Sequence, residues 1–435
     1  MSKSLAAQVK EKKVKYVLFS FSDMFGVSRS KLVPAAAVAG MEKDGAGFAG
    51  FAAWLDMSPA DSDLFAVPDP ASFIRLPWRP DVGWVACDLW MDGKPVDASP
   101  RIMLKNQLKK AEKKGWRVKT GVECEFFLVN ADGSELADGH DTQEKPCYDQ
   151  SALMRQYDLI SEICDVMLDL GWKPYQNDHE DANGQFEMNW EYDDALKTAD
   201  RHTFFKFMTR AIAENHGLRA TFMPKPFNHL TGNGCHAHVS VWDKAGKKNL
   251  FHNPKDEVGI SKLGYSFLGG VMHSADALCA FFNPTVNSYK RINAPVTSSG
   301  ATWSPNTVTY TGNNRTHMVR IPDEGRFELR LMDGAVNPYL LQAGIIAAGI
   351  DGVVEKRDPG ERLDINMYEE GHKLKGVKKL PLNLLDALRL LEKSKVLNDA
   401  FGKETIQGYL KLRMKEWNAY MSHASTWERE NTLDV

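Results

Sequence analysis

The sequence lacks closely spaced cysteines. Its six cysteines are scattered over 435 residues, no two of them form a C-x-x-C pair, and most lie in apolar strings. This spacing excludes the common zinc frameworks and disulfide scaffolds. We therefore expect reduced thiols in the core of a cytosolic protein.

An excess of positive charge and long apolar runs are also missing. The formal net charge is -3 and the pI is near 6.5, so no basic surface points to nucleic acid or to an anionic membrane. No stretch approaches the roughly 18 apolar residues of a membrane span. Residues 1–15 are polar and lysine-rich, without the apolar core of a secretory signal. We expect a soluble, cytoplasmic protein that binds neither nucleic acid nor membrane.

What is present indicates two domains. A length of 435 residues exceeds what one core usually serves. Tyr16–Ser22 and Gly83–Trp90 are typical of strands, whereas Ser99 and Pro100 have the residue types of a helix N-terminus. The sequence thus predicts a small mixed-sheet domain and a larger second domain, residues 1–100 and 101–435.

Apolar periodicity predicts helices in the second domain. The clearest stretches are 152–170, which ends before Gly171, and 202–216. By contrast, Gly45–Gly50 matches G-x-G-x-x-G without a clear strand before it or a helix start after it, so we reject a dinucleotide-binding loop there.

The most informative stretch is 121–128, an apolar run that contains Glu123 and Glu125. In a strand, these two side chains point to the same side. Buried together, the carboxylates would repel each other, and a hard divalent cation such as Mg²⁺ or Mn²⁺ would relieve that repulsion. A lone E-x-E is more often a solvated strand edge, so the rest of the chain must decide.

Three further segments place polar side chains in similar apolar surroundings. They contain Glu180 and Glu187 about a glycine turn, His236, His238 and Ser240 on one strand, and Glu328 and Arg330 on another. Each alone has an ordinary explanation, such as a solvated hairpin or a surface ion pair. Together they predict a sheet that lines a charged channel and binds Mg²⁺ or Mn²⁺ with a phosphate.

These motifs, in this order, resemble the glutamine synthetase family over nearly the whole chain, and most closely its γ-glutamylmethylamide synthetase and type III-like branch. The resemblance implies an α+β fold, with a small N-terminal β-grasp domain and a catalytic domain whose antiparallel sheet forms a partial barrel surrounded by helices. It implies phosphorylation of the glutamate γ-carboxylate by ATP, followed by displacement of phosphate by an amine. It also implies a homo-oligomer, a dodecamer of two hexameric rings with active sites at subunit interfaces.

The resemblance assigns two metal sites for two or more Mg²⁺ or Mn²⁺ ions. One would take Glu125, Glu180 and Glu187, and the other would take Glu123, His236 and Glu328. The first site would also help to position glutamate, through Glu125.

The remaining assignments concern substrates. Gly232, Arg291 and Arg330 resemble the residues that bind glutamate. The residues that flank or bind ATP would be His238, Ser240 and Arg320. Arg315 resembles the arginine that stabilises the transferring phosphoryl group, and we assign it a catalytic role together with Glu187 and Asp178.

Departures from the family concern the amine. Ala49 stands where the family has an aspartate that helps to bind ammonium, and residues 291–315 contain no acid where the family has a flap glutamate. Thr231 replaces a common asparagine. Asp178 precedes Glu180 by two residues and is our candidate for the amine site or its base.

Loss of both acids weakens an ammonium site and leaves room for a methyl group. Four aromatic side chains are candidates for cation-π contact with an alkylammonium ion: Phe51, Trp54, Trp303 and Tyr310. We therefore expect ligation of glutamate to methylamine, giving γ-glutamylmethylamide. Glutamine synthesis from ammonia is the close alternative, followed by a polyamine acceptor and, last, a non-catalytic relative.

Overall fold

Two β-sheets organise the chain, in a computed structural model that describes residues 3–295 and 297–435. The first sheet consists of β1 (Tyr16–Ser22), β2 (Ser28–Pro34), β3 (Ala46–Phe48), β4 (Leu64–Pro68), β5 (Ile74–Arg75), β6 (Val82–Met91) and β7 (Lys94–Pro95). The second consists of β8 (Trp116–Val129), β9 (Pro174–His179), β10 (Gln185–Trp190), β11 (Asp193–Asp194), β12 (Arg219–Thr221), β13 (Cys235–Asp243), β14 (Tyr310–Thr311), β15 (Val319–Arg320) and β16 (Phe327–Leu329).

Helices cover the sheets and form the C-terminal part of the chain. Those of the N-terminal half are α1 (Leu5–Glu11), α2 (Val38–Asp44), α3 (Pro100–Lys113), α4 (Gln150–Arg155), α5 (Tyr157–Asp169) and α6 (Ala195–Asn215). Those that follow are α7 (Lys262–Phe282), α8 (Ser288–Ile292), α9 (Pro338–Val354), α10 (Met367–Glu370), α11 (Leu384–Lys393), α12 (Lys395–Phe401), α13 (Lys403–Met421) and α14 (Thr426–Thr432). Within the described residues, none of these helices is both long and apolar enough to cross a bilayer.

The first sheet is mixed, as the sequence predicts. Its order is β2-β1-β6-β4-β3, with β5 and β7 also paired to β6. Only β1 and β6 run parallel among the described pairs. Asp92 and Gly93 close the β6–β7 hairpin with φ of 49° and 72°, the left-handed pair that such a tight turn requires. The domain boundary at residue 100 stays a prediction.

The second sheet is the partial barrel. Its order is β14-β15-β16-β13-β8-β10-β9, and β11 and β12 also pair with β8. Neighbouring strands are antiparallel except β14 and β15. The 14-residue strand β8 lies in the middle, and α6 packs behind it, where Thr198 Oγ1 donates a hydrogen bond to the Thr120 carbonyl at 2.7 Å. This α+β architecture confirms the predicted fold class.

Two local predictions need correction, and one is confirmed. The predicted helix 152–170 is broken at Gln156 into α4 and α5, because the apolar periodicity continues across the break and conceals it. Helix α6 begins seven residues before the predicted start at His202, and its first turns bury small or polar residues such as Ala195 and Thr198, which give no apolar signal. Within residues 45–50, Ala46–Phe48 forms β3 directly after helix α2, the reverse of the strand-then-helix order of a dinucleotide loop, which supports the rejection.

Within the described residues all six cysteines are free. Cys124 and Cys235 lie opposite each other on β8 and β13, on the buried face of the sheet, with His202 beside them. Burial, followed by the charge of Arg210, lowers the pKa of Lys206 to about 8, and the neighbouring Cys124 and Cys235 oppose that shift. The Lys206 ammonium group opposes a metal cation among these three residues, so reduced core thiols remain the simpler interpretation.

Arg101 joins the first sheet to the second domain. Its guanidinium group, 3% exposed, lies 2.8 Å from Asp69, 2.6 Å from Asp88 and 2.9 Å from Asp200. The Tyr339 hydroxyl also donates a hydrogen bond to Asp200, at 2.8 Å. Removing Arg101 leaves Asp69 and Asp200 without a salt-bridge partner among the described residues, at a largely buried site, while Asp88 keeps its ion pair with Lys105.

We expect Arg101→Ala to lower the free energy of unfolding by about 3–5 kcal/mol. The matched control is Arg117→Ala, because the ion pair of Arg117 with Asp194 is 45% and 35% exposed and should contribute under about 1 kcal/mol. Urea-induced unfolding at one protein concentration measures both variants. Equal, small losses in the two variants would contradict the structural role of Arg101.

Candidate active site

The register of the second sheet lines up the acidic side chains. Glu125 on β8 lies opposite Glu187 on β10, which in turn lies opposite Asp178 on β9. One step along β8, Glu123 lies opposite His236 on β13. Because alternate residues of a strand share a face, all five side chains belong to one side of the sheet.

The opposite face of β8 determines the direction in which these carboxylates point. Val122, Cys124 and Phe126 are 0–3% exposed and pack in the core. A shift of register by one residue would move these apolar side chains to the polar face and the glutamates into the core. Burial of the apolar side chains on one face of β8 therefore keeps the glutamates on the other face.

One cavity collects most of the predicted site residues. Its volume is about 140 Å³. It is lined by all six predicted metal ligands and by six other predicted site residues: Glu123, Glu125, Glu180, Glu187, His236 and Glu328, with Asp178, Gly232, Arg291, Arg315, Arg320 and Arg330. The two remaining predicted residues, His238 and Ser240, line an adjoining cavity of about 530 Å³ that shares Glu123.

The acidic side chains of the cavity raise one another's pKa. Burial, followed by the nearby Glu125 carboxylate, raises the pKa of Glu180 well above its usual range, and burial with Glu123 does the same for Glu187. Burial and the same two acids, Glu123 and Glu125, raise the pKa of Asp178 to about 6. These carboxyl groups repel one another, and a divalent cation would relieve that repulsion.

Glu123 and Glu328 differ from these acids because they have cationic or imidazole neighbours. Burial alone would raise the pKa of Glu123, but contacts with His236 and His238 outweigh it and hold that pKa well below its usual range. Burial of Glu328 is likewise outweighed, mainly by Arg330, and its pKa falls to about 2. The acids of the cavity therefore fall into two classes, two with a lowered pKa and three with a raised pKa.

Possible metal-ligand atoms converge in three overlapping groups. Within the described residues of the two adjoining cavities, atoms that lie within 4.8 Å of one another belong to three sets of side chains: Glu123, Glu187 and His236; Glu123, His238 and Glu328; and Asp178, Glu180 and Glu187. These groups overlap the two predicted ligand sets without reproducing them. His238 joins one group and Asp178 joins another.

Glu125 lies in none of these groups. Its Oε2 atom accepts hydrogen bonds from the Gly234 backbone N–H at 2.6 Å and from Gln185 Nε2 at 3.1 Å. The predicted role of Glu125 as a metal ligand therefore stays a prediction. The donor set as a whole, carboxylates with one or two imidazoles, fits Mg²⁺ or Mn²⁺.

Glycine is needed where the chain passes under this site. A Cβ atom on Gly234 would lie 2.9 Å from both Glu125 Oε1 and His236 Nε2, and one on Gly232 would lie 2.3 Å from the Pro224 carbonyl. A larger residue at Gly234 would press on the Glu125 and His236 side chains, and one at Gly232 would collide with the backbone. Gly232 was predicted, whereas Gly234 was missed, because glycine carries no chemistry that a sequence pattern shows.

The arginines fall into two classes. Arg320 and Arg330 donate hydrogen bonds to the two oxygens of Glu328, at 2.9 Å and 2.6 Å. Arg291 and Arg315 have no carboxylate within 4.0 Å among residues 3–295 and 297–435. Two cations without a carboxylate partner, facing one cavity, fit an anionic substrate.

The adjoining cavity combines imidazole, guanidinium, hydroxyl and aromatic groups. His238 Nε2 donates a hydrogen bond to Glu123 Oε1 at 2.8 Å, and Arg326 donates to His238 Nδ1 at 2.5 Å. Trp242 Nε1 donates to Ser240 Oγ at 2.9 Å, and Lys119 lies 4.2 Å from the centre of the Trp242 ring. The sequence missed Lys119, Trp242 and Arg326 here, together with Tyr175 and Tyr192 on the cavity wall.

Of the four aromatic side chains expected near the amine, only Trp303 lines the acidic cavity of this chain. The expectation for Tyr310 is wrong: it is 5% exposed, and its hydroxyl donates a hydrogen bond to the Gly360 carbonyl at 3.1 Å. Phe51 and Trp54 are exposed near the first sheet, outside this cavity. The sequence missed Tyr148, which is 71% exposed and lines the cavity.

Comparison with known proteins gives a consistent result. A family model described as "Glutamine synthetase, catalytic domain" matches residues 97–432. A glutamine synthetase of Rhizobium leguminosarum bv. phaseoli is 65% identical over 435 residues, and a glutamate–methylamine ligase of Methyloversatilis universalis is 44% identical over 444 residues, each covering 100% of both chains. A solved structure described as a GmaS/ADP complex superposes with a TM-score of 0.97, at 61% identity and with 100% of both chains covered.

These similarities extend over the whole chain and include the sheet that carries the acidic cavity. The chain belongs to the glutamine synthetase family, and it is a glutamate–amine ligase. These similarities confirm the predicted enzyme class. Members of this family use ATP and divalent metal ions.

Proposed function

We propose that this chain ligates glutamate to methylamine, with ATP as the phosphoryl donor and γ-glutamylmethylamide, ADP and phosphate as products. The observation that carries the choice of amine is the composition of the acidic cavity. Trp303 and Asp178 line it, whereas residues 291–315, which include Trp303, contribute no acid. An aromatic face beside the Asp178 carboxylate suits a methylammonium ion better than a fully hydrated ammonium ion.

Trp303 has an unfavourable backbone conformation and an indole N–H that is unsatisfied in the described part of the chain. Its backbone has φ of 52°, an unusual value for a bulky residue, and its buried indole N–H has no hydrogen-bond partner within the described residues. Strain of this kind persists only where the surroundings impose it, and it is concentrated at functional sites. We therefore assign the Trp303 ring to the pocket for the methyl group.

The reaction requires a bound, oriented glutamate. In this proposal Arg291 and Arg330 bind the carboxylates of glutamate, and Gly232 leaves room for it. The side chains that would hold two divalent cations are Glu125, Glu180, Glu187, Glu123, His236 and Glu328. When bound, the cations neutralise charge on the phosphates of ATP.

Two steps then follow. A γ-carboxylate oxygen attacks the terminal phosphorus and ADP leaves, while Arg315 stabilises the transferring phosphoryl group and Arg320, His238 and Ser240 hold the nucleotide. Asp178 accepts a proton from methylammonium, and its raised pKa makes it a stronger base than an ordinary aspartate. The free amine nitrogen attacks the γ-carbon, the bond from that carbon to the phosphate oxygen breaks, and the departing phosphate takes the second proton that the nitrogen loses as it becomes an amide.

A homo-oligomer, a dodecamer as in the resemblance above, belongs to the same proposal. Phe51 and Trp54 are 59% and 43% exposed on the loop where the family places its amine-binding aspartate. Two exposed aromatic side chains of one loop suit a contact with the active site of a second copy of this chain.

Ammonia is the second candidate, and one observation favours it. The relative from R. leguminosarum, described as a glutamine synthetase, is more similar to this chain than the glutamate–methylamine ligase, at 65% against 44% identity. Both candidates use the same phosphoryl-transfer residues. They differ only in the group that contacts the nitrogen substrate.

The test compares kcat/KM for methylamine, ammonia and putrescine in the wild type and in Trp303→Ala. We expect methylamine to exceed ammonia by tenfold or more, about 1.4 kcal/mol, and Trp303→Ala to remove most of that preference by lowering the methylamine value. Trp427→Ala is the matched control, because Trp427 is 66% exposed on the C-terminal helix α14. A tenfold preference for ammonia, or an unchanged ratio in Trp303→Ala, would contradict the proposal.

A further inference from the structure

The segment 297–303 borders the acidic cavity without any acidic residue of its own. Thr302 and Trp303 line the cavity, and the segment reads Thr-Ser-Ser-Gly-Ala-Thr-Trp. A segment of this composition cannot be held in place by its own carboxylates. What it offers instead is a set of hydroxyl groups.

Two hydroxyl groups meet on one carboxylate oxygen of Asp181. Thr231 Oγ1 donates a hydrogen bond to Asp181 Oδ2 at 2.6 Å, and Ser299 Oγ donates to the same oxygen. Thr297 joins the group, with its hydroxyl 3.5 Å from that of Thr231 and 3.2 Å from that of Ser299. Asp181 lies in the hairpin between β9 and β10, so one carboxylate links three separate parts of the chain.

The same residue touches the predicted metal site. The backbone N–H of Asp181 donates a hydrogen bond to Glu180 Oε2 at 3.0 Å. Asp181 and Thr231 both line the acidic cavity. The position of segment 297–303 is therefore tied to the site at which the phosphoryl group is transferred.

We propose that Asp181, with Thr231 and Ser299, forms a latch that holds segment 297–303 over the γ-phosphorylated glutamate and keeps water away from it. Asp181 acts here as a positioning residue. The inference rests on the proposed reaction through a γ-glutamyl phosphate, but it does not depend on which amine is used.

The chemistry defines what the latch prevents. If water attacks the γ-carbon of the phosphorylated glutamate, the bond from that carbon to the phosphate oxygen breaks, and glutamate and phosphate are released. ATP is then consumed without amide formation. A closed segment that excludes water suppresses this side reaction while the amine binds, so the measurable quantity is the amount of amide formed per ADP.

Ser299→Ala and Thr231→Val each remove one donor and leave Asp181, the neighbour of Glu180, unchanged. We expect glutamate-dependent phosphate release without amine to rise about tenfold, the scale of one lost hydrogen bond to a charged group. Amide formed per ADP should fall in parallel. Thr231→Ser keeps the hydroxyl and should retain the coupling of the wild type.

Ser304→Ala is the matched control, because it makes the same exchange just beyond the segment. The Ser304 hydroxyl is buried and has no hydrogen-bond partner in the described part of the chain, so this variant should couple like the wild type. Coupling is measured with both methylamine and ammonia. A preference for ammonia would overturn the proposed amine and would leave the coupling test intact.

Two results would overturn the latch. One is wild-type coupling in both Ser299→Ala and Thr231→Val. The other is an equal loss of ADP and amide formation with an unchanged ratio, which would show that the hydroxyl groups support activity without excluding water.

Discussion

Glu187→Gln is expected to lower kcat by about 100- to 1000-fold, the scale seen when a group that stabilises developing charge is lost. Glu187 lines the acidic cavity and contributes to two of the three groups of possible metal-ligand atoms. The amide keeps the size of the side chain but removes the negative charge that a divalent cation requires. The apparent affinity for Mg²⁺ should fall together with kcat.

The same substitution should stabilise the metal-free protein, and the sign follows from the pKa. Burial and the neighbouring acids raise the pKa of Glu187 well above its usual range. The folded chain therefore keeps this proton at pH values where the unfolded chain has lost it, so stability is fully present below the unfolded pKa of about 4.3 and is lost as the pH rises. Glutamine cannot ionise, so the gain in the free energy of unfolding should grow from about pH 4.3 upward.

Steady-state kinetics over a range of Mg²⁺ concentrations and thermal unfolding at several pH values measure both effects. Saturating Mg²⁺ should stabilise the wild type more than Glu187→Gln, because the cation binds the ionised carboxylate. Glu112→Gln is the control, since this glutamate is 62% exposed on α3. Unchanged kcat and unchanged dependence on Mg²⁺ in Glu187→Gln would contradict a cation site at this carboxylate.

The second large effect is expected from Arg315→Ala, which should lower kcat by about 1000-fold. Arg315 lines the acidic cavity and has no carboxylate within 4.0 Å in the described ranges 3–295 and 297–435. Its charge is therefore available to the phosphoryl group as that group leaves ADP. An interaction made only in the transition state lowers kcat and leaves the KM values for glutamate and ATP nearly unchanged.

Arg315→Lys should recover only part of the activity, because an ammonium group cannot offer the planar pair of donors that a guanidinium group offers. Arg389→Ala is the control, since Arg389 is 61% exposed on α11 and pairs with Asp386. Increased KM values with an unchanged kcat would show that Arg315 only binds the ground state. That result would remove it from the catalytic residues.

The acidic strand could be predicted from the sequence because its signal is local. Glu123 and Glu125 alternate with Val122 and Cys124, and this period of two directly gives the two faces of β8. Which strands lie beside β8 is a non-local property. The pairing of Glu187 with Glu125 came from the resemblance to a family, since no pattern within either segment contains it.

Features without a local pattern were missed or misplaced. Gly234 carries no chemistry of its own, and Asp181 becomes a hydrogen-bond acceptor only when Thr231 and Ser299 approach it from distant parts of the chain. Tyr310 was misplaced because an aromatic residue near the motifs in sequence packs into the core instead. A residue that is close to a motif in sequence can still point away from the site when it lies in a loop or a short strand.

Crystals grown with Mn²⁺ and ADP, measured at the manganese absorption edge, test the paired cation site most directly. Two anomalous peaks per chain are expected, one beside Glu180 and Glu187 and the other beside Glu123, His236 and Glu328, with the phosphates of ADP at the second. A single peak, or peaks away from these carboxylates, would contradict a ligase site built on two cations.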